Sequence, residues 1–185
     1  MFIQTEATPN PATLKFLPGQ PVVRSTPREF RSAGEASASP LAARLFGIKG
    51  VAGVFLGGDF ITVTKHSGEW QHLKPAILGV IMDHYLSGQP VVLEEESDAK
   101  ASEEQVEEGD EQIVATIKEL LDTRVRPAVA QDGGDITFHG YKQGVVFLNM
   151  RGSCSGCPSS TATLKHGIEN LLRHFIPEVK EVRPL

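Results

Sequence analysis

The stretch DGGDITFHGYKQGVVFLNMRGSCSGCPSS, residues 132–160, carries most of the information about fold and chemistry. Its apolar residues favour two strands, at 136–141 and 145–150, joined by a short turn at 142–144. The DGGD segment at 132–135 predicts a turn that ends a preceding helix, because glycine readily adopts positive φ. We favour this structural interpretation over one in which Asp132 or Asp135 borders and tunes the loop after the strands.

Helices are predicted on both sides of this hairpin. One begins near Glu111 and should be kinked or broken by Pro127, and the other follows the cysteine loop and stops at Pro177. The tail at 178–185 predicts a third strand, so the order is α-β-β-α-β, a small sheet with helices packed on it. Apolar residues recur at helical spacing in both helices: Ile113, Ile117, Leu120 and Leu121 in the first, and Leu164, Ile168, Leu171, Leu172 and Phe175 in the second.

The N-terminal half predicts a second module at about 1–90. Ser39 can cap a helix that starts at Pro40, and Gly88 can end a longer helix over 70–86. Three segments read as strands: Thr13–Leu17, Val51–Phe55 and Asp59–Lys65, the last with Ile61 and Val63 on one face after a turn at Gly57 and Gly58.

An acidic segment separates the two modules. Residues 94–111 hold ten acidic side chains and one basic one, a net charge of −9 within a chain of net charge −5, so the remainder carries +4. Such a segment predicts a flexible, self-repelling linker, with an acidic docking site for a basic partner as the alternative. The predicted fold class is therefore α/β in the α+β sense, two small α/β domains at 1–90 and 111–185 joined by an acidic flexible linker at 91–110.

Composition excludes several classes of protein. No apolar run approaches the roughly 20 residues that span a bilayer, and the N-terminus resembles neither a secretory signal nor a transit peptide. The basic residues form no stripe typical of nucleic-acid binding, so neither a membrane nor a nucleic acid is an expected partner. Two cysteines among 185 residues do not make a disulfide framework, which indicates a reducing compartment, and we expect the cytoplasm.

The loop GSCSGCPSS holds the only two cysteines of the chain, Cys154 and Cys157, at a predicted strand-to-helix junction. Pro158 suits a first helical turn, and a helix N-terminus should lower the pKa of a nearby thiol. Thiols at this spacing serve dithiol–disulfide exchange, zinc binding or iron–sulfur cluster binding. Inert cysteines rarely cluster between Gly, Ser and Pro, so we disfavour a purely structural pair.

The number of thiols narrows these alternatives. Neither a Cys₄ zinc site nor a Cys₄ cluster site can close within one chain, whereas a twofold dimer would supply two pairs. Histidine could complete a zinc site, but His139, His166 and His174 lack the i, i+4 spacing of helical zinc sites and read as ordinary histidines. A thioredoxin-like interpretation lacks the expected βαβ context.

Two regions resemble a known family. DTRVRPAVAQDGGDITF (122–138) and VVFLNMRGSCSGCPSSTATLKHGIENLL (145–172) resemble the NifU-type C-terminal domain, and MFIQTEATPNPATLKFLPG (1–19) resembles the Nfu N-terminal domain. The resemblance implies an iron–sulfur cluster scaffold or carrier and not an enzyme. It implies that Cys154 and Cys157 bind iron of a [4Fe–4S] cluster, with [2Fe–2S] as the alternative.

The same resemblance implies the partners. The cluster would be shared between two subunits, as a cluster-bridged homodimer, received from cluster donors and passed to apo iron–sulfur acceptor proteins. The first module shows no reactive set of residues in its sequence, and we interpret it as a partner-recognition module.

Overall fold

The structure, a computed structural model, describes residues 1–24, 26–93, 105–106, 108–154 and 158–185, with backbone only at 105–106 and 158–160. The chain divides into two compact units, Met1–Glu96 and Ser97–Leu185. Each unit has its own sheet and its own apolar core, which confirms the predicted α+β fold. Among the helices of the described residues, none combines the length and apolarity needed to cross a bilayer.

The first unit contains a five-stranded antiparallel sheet in the order β1-β2-β5-β4-β3. Its strands are β1 (Gln4–Ala7), β2 (Thr13–Leu17), β3 (Arg28–Phe30), β4 (Val51–Leu56) and β5 (Ile61–Lys65). The predictions of β2, β4 and β5 are confirmed, except that β5 begins at Ile61. The tight turn before it extends to Phe60, whose carbonyl accepts from the Gly57 amide at 2.9 Å. The edge strands β1 and β3 were not predicted.

Two helices complete this unit, α1 (Pro40–Phe46) and α2 (Trp70–Ser87). The predicted cap of α1 is confirmed, because the Ala42 amide donates to Ser39 Oγ at 3.1 Å. Gly88 ends α2 with a φ of 70°, also as predicted. The core includes fully buried side chains from both helices and from the sheet: Phe16, Leu41, Leu45, Leu56, Ile61, Val63, Ile77 and Ile81.

The second unit contains a four-stranded sheet in the order β6-β7-β8-β9. Its strands are β6 (Gln105–Val106), β7 (Gly134–Lys142), β8 (Val145–Gly152) and β9 (Glu181–Pro184). The predicted hairpin is the antiparallel pair β7–β8, whose turn places Gln143 and Gly144 at φ of 49° and 82°. The predicted third strand is β9, which runs parallel to β8 and therefore needs the helical crossover between them.

Helices α3 (Glu111–Leu120), α4 (Arg126–Gln131) and α5 (Pro158–Phe175) complete this unit. A π-helical turn at Leu121–Val125 joins α3 to α4, so the chain changes helical register just before Pro127 instead of breaking there. The proline occupies the first turn of α4, two residues after the π-helical turn ends. Fully buried members of the core come from α3, β7, β8, α5 and β9: Ile117, Ile136, Val146, Leu148, Leu172 and Val182.

Residues at both ends of the predicted linker make ordered contacts with the adjacent unit. Val91 and Leu93 belong to the first unit, where the Ser39 hydroxyl donates to the Val91 carbonyl at 2.5 Å and the Leu93 amide to the Ala38 carbonyl at 2.8 Å. Strand β6 belongs to the second sheet and pairs with Gly140 and Tyr141. Residues 94–104 and 107 lie outside the described residues, so the flexibility of the linker stays a prediction.

Candidate functional site

The cysteine loop joins the end of β8 to the start of α5, as predicted. Alternate residues of β8 are buried from Val146 to Gly152, and the following Ser153 and Cys154 are buried as well. The strand thus delivers Cys154 at the edge of the core, two residues after the last β8 residue. Cys157, the second predicted ligand, lies outside the described residues.

Two hydroxyl groups hold the backbone on either side of Cys154. The Ser153 side chain donates to the carbonyl of Asp132, and the Ser153 amide donates to the carbonyl of Gly133 at 3.2 Å. From the other side, Thr161 Oγ1 of α5 donates to the carbonyl of Cys154 at 3.1 Å. Cys154 is therefore tied to the turn before β7 and to the first turns of α5.

The turn at Asp132 and Gly133 ends α4 and, with the first residues of β7, borders the cysteine loop. The structural interpretation of DGGD is confirmed for the helix end, and the segment also contacts the loop, because the Ser153 side chain donates to the Asp132 carbonyl. No observation tests whether Asp132 or Asp135 tunes the loop. Since β7 and β8 pair along their whole length, Gly134 lies opposite Gly152, directly beside the loop. Sequence spacing alone could not show this, because the contact depends on the hairpin register.

An ion pair holds the start of β7. Arg126 donates through Nε to Asp135 Oδ1 at 2.9 Å and through a second nitrogen to Asp135 Oδ2 at 3.2 Å. It also donates to Asp122 Oδ1 at 3.1 Å. The Asp135 side chain is only 7% exposed, so a two-point contact with a guanidinium is what makes a buried carboxylate tolerable there.

The acidity of the Cys154 thiol differs from the prediction. Burial, with the nearby Asp132 and Asp135 carboxylates, raises its pKa to about 11, although the Ser153 side chain acts in the opposite direction. The expectation that a helix N-terminus lowers this pKa is wrong for Cys154. The helix begins only at Pro158, and the dipole effect fades within a turn, whereas the desolvation acts directly on the thiol.

Histidines do not gather around Cys154. His166 and His174 lie on α5 and His139 on β7. In the described part of the chain, no group of three or more His, Cys, Asp or Glu side chains is arranged to hold a metal ion.

Comparisons with known proteins decide the family. Residues 3–88 match the model of the scaffold protein Nfu/NifU N-terminal domain, and residues 117–183 match that of the NifU-like domain. The human mitochondrial NFU1 iron–sulfur cluster scaffold homolog is 52% identical over 184 residues, which cover 98% of this chain and 71% of that protein. The chain belongs to the Nfu/NifU family of iron–sulfur cluster scaffold proteins.

Other family members are similar over the same extent. The mitochondrial NifU-like protein 5 of Arabidopsis thaliana is 51% identical over 98% of this chain and 67% of its own length. The corresponding homolog of Drosophila virilis is 53% identical, with 61% of its length covered, so the chain spans about three fifths to seven tenths of these relatives. The solution structure of a NifU-like protein from Saccharomyces cerevisiae aligns with 51% of this chain and 87% of its own, at 28% identity and a TM-score of 0.47.

Family membership confirms part of the prediction and overturns another part. The predicted scaffold or carrier function is confirmed, and a scaffold protein of this family is not an enzyme. The prediction of a cytoplasmic location is wrong, because relatives about 52% identical over 98% of the chain are mitochondrial proteins.

Proposed function

We propose that this scaffold protein holds a [4Fe–4S] cluster as cargo between two copies of the chain, each of which contributes Cys154 and Cys157. The observation that carries the proposal is the placement of both thiols of the chain in one loop. Cys154 stands at the end of a paired hairpin and is tied to α5 through Thr161, which supports a defined starting point for a ligand loop. Thiolates are the usual ligands of such clusters.

The number of thiolates in one chain supports the sharing of the cluster between two chains. A [4Fe–4S] cluster takes about four thiolates, and one chain offers two. A second copy related by a twofold axis is the simplest source of the remaining two, because isologous contacts are the commonest form of self-association. A [2Fe–2S] cluster would fit the same four thiolates and is the alternative cargo.

The buried thiol suits temporary binding. Iron must displace the Cys154 proton, and ligation to a metal deprotonates a thiol even when its pKa stands near 11. Breaking the inward packing of this side chain costs free energy that is regained when the cluster leaves. We infer that the cluster is accepted from a donor and passed to apo iron–sulfur acceptor proteins by ligand exchange, with the first unit recognising these partners.

Anaerobic reconstitution with iron and sulfide tests the proposal on the full chain. The wild type should become brown and retain iron and acid-labile sulfide, whereas Cys154→Ser and Cys157→Ser should each lose the cluster and keep the fold. His166→Ala, an exposed side chain on α5, is the matched control and should bind as the wild type does. Full iron and sulfide in either cysteine variant would contradict the proposal, as would colourless zinc protein or a metal-free dithiol oxidoreductase.

A further inference from the structure

Gly134 is a glycine for a reason other than backbone conformation. Its neighbour Gly133 has a φ of 79°, in the left-handed region that favours glycine, but Gly134 has an ordinary φ. Gly134 begins β7 and lies opposite Gly152 at the end of β8. The absence of a side chain at position 134 must therefore be explained by what occupies the space beside it.

The thiol of Cys154 occupies that space. A Cβ atom at position 134 would lie 2.5 Å from Cys154 Sγ, 2.9 Å from the Arg151 carbonyl oxygen and 3.2 Å from the Cys154 amide nitrogen. Real Cβ atoms essentially never approach another heavy atom within 3.0 Å, so an alanine here would have to displace the thiol or the strand. The side chain nearest to Gly134 is thus that of the first proposed cluster ligand.

This inward position is incompatible with sharing a cluster. Cys154 is 6% exposed, and its thiol packs with the core of the second unit. An iron atom that also binds sulfur from a second copy must lie at the surface, so the thiol has to turn outward before it can ligate. Ser153 donates to the Asp132 carbonyl and Thr161 to the Cys154 carbonyl, so rotation of the Cys154 side chain keeps these two bonds and gives up only the contact of the thiol with the Ser153 side chain.

We propose that Gly134 is a positioning residue that admits the Cys154 thiol to a buried position in the cluster-free protein. The inference rests on the proposed function, in which Cys154 is a ligand. A bare Cα at 134 keeps this thiol away from oxidants until iron is present. It also gives the thiol a favourable place to return to when the cluster is transferred.

Thiol reactivity of the metal-free full chain tests this directly. Three proteins are compared, all carrying Cys157→Ser: one with no further change, one with Gly134→Ala and one with Gly167→Ala. In each, mass spectrometry measures the rate at which iodoacetamide alkylates Cys154. Gly167 on α5 has no heavy atom near its added Cβ and is the matched control. We expect Gly134→Ala to react about tenfold faster and Gly167→Ala to react as the parent does, because displaced thiols lose their protection. Equal or slower reaction of a folded Gly134→Ala would overturn the inference.

Thermal unfolding separates displacement of the thiol from displacement of the Arg151 carbonyl. Overpacking by Gly134→Ala should lower Tm by about 5 to 10 °C, and by less than half of that when Cys154→Ala has already removed the sulfur. Should Gly134→Ala fail to fold, folding of the double variant would support the inference. An equal loss in both backgrounds, or failure of both to fold, would overturn it.

These outcomes are independent of the proposed function. If Cys154→Ser keeps a full cluster, the proposed function fails even where Gly134→Ala exposes the thiol. If Cys154→Ser loses the cluster and Gly134→Ala leaves the reactivity unchanged, only the role of Gly134 is refuted.

Discussion

In each unit, burial shifts the pKa of a titratable side chain towards its neutral form, as His84 and Cys154 illustrate. In the first unit, burial and the nearby Arg44 charge lower the pKa of His84, while the backbone of Gln89 and Pro90 acts in the opposite direction. In the second unit, burial raises the pKa of the Cys154 thiol to about 11. The same desolvation therefore acts on a group that would become a cation and on a group that would become an anion.

The surroundings of the two groups differ. His84 is fully buried, and among the described residues neither of its ring nitrogens has a hydrogen-bond partner. The segment that follows His84 is held to the residues just before α1, because the Ser39 hydroxyl donates to the Val91 carbonyl and the Leu93 amide donates to the Ala38 carbonyl. Cys154 instead lies at the start of a Gly- and Ser-rich loop. Burial alone does not indicate function; a buried ligand needs a segment that can release it.

The largest expected effect concerns which unit carries the cluster. A fragment of residues 97–185, which includes strand β6, should fold and accept a cluster during reconstitution, because both thiols and a separate core lie within it. A fragment of residues 1–96 should fold and bind none. Circular dichroism and iron analysis of both fragments check this. Cluster binding by fragment 1–96 would contradict the proposal that only the second unit carries the cluster.

Arg126→Gln should destabilise the second unit by about 2 to 3 kcal/mol, because it leaves the buried Asp135 carboxylate without its partner. The effect is smaller than for a fully buried pair, since the Arg126 side chain is 35% exposed. Arg173→Gln is the control, because the Arg173 side chain is 55% exposed and Glu169 keeps another donor, the Val182 amide, so the loss of this ion pair should cost little. Urea unfolding of fragment 97–185 measures both, and equal stability of the two variants would contradict the assignment.

Ser39→Ala should destabilise the first unit by about 1 to 2 kcal/mol, because one hydroxyl both caps α1 and binds the Val91 carbonyl. Ser37→Ala, an exposed position just before the cap, should change the free energy of unfolding by only a few tenths of that amount. Chemical denaturation of fragment 1–96 gives both values. If Ser37→Ala lowered the free energy of unfolding as much as Ser39→Ala, the stabilising role of the helix cap would be contradicted.

The smallest expected effect is a pH dependence of the first unit. The folded pKa of His84 lies below the unfolded value of about 6.5, so the unfolded state binds the proton more readily. Stability of the first unit should therefore be unaffected by His84 above about pH 7.5 and fall as the pH drops through 6.5 towards 5.

His84→Leu should remove most of this slope, whereas His72→Gln, at an exposed position, should keep it. Denaturation of fragment 1–96 at several pH values measures the slope. A slope of the wild-type size in His84→Leu would assign the dependence to other groups.

Local signals in the sequence predicted most of the fold. Ser39 before Pro40, and Gly88 after an apolar helical stripe, mark helix ends through contacts within a few residues, and both were placed correctly. Strand β1 was missed because Gln4–Ala7 is an edge strand with mostly exposed side chains and no clear alternation. Strand β6 has two residues inside an acidic segment, where only its pairing with β7 reveals it.

The candidate site was predicted in composition but not in environment. The cysteine spacing and the strand-to-helix junction follow from residues close together in the chain. The raised pKa of Cys154 does not, because it depends on burial against residues twenty and more positions away, across a hairpin whose register the sequence leaves open. Gly134 was read as a turn residue for the same reason.

Light scattering combined with iron and sulfide analysis on matched cluster-free and reconstituted samples tests whether two chains share one cluster. We expect a cluster-free monomer of 20.0 kDa and a reconstituted dimer of twice that mass with about one cluster per two chains. An iron chelator should return the dimer to monomer, because the metal–thiolate bonds supply most of the association energy. A reconstituted monomer with about four irons per chain would contradict the account, since its missing ligands would come from other thiols.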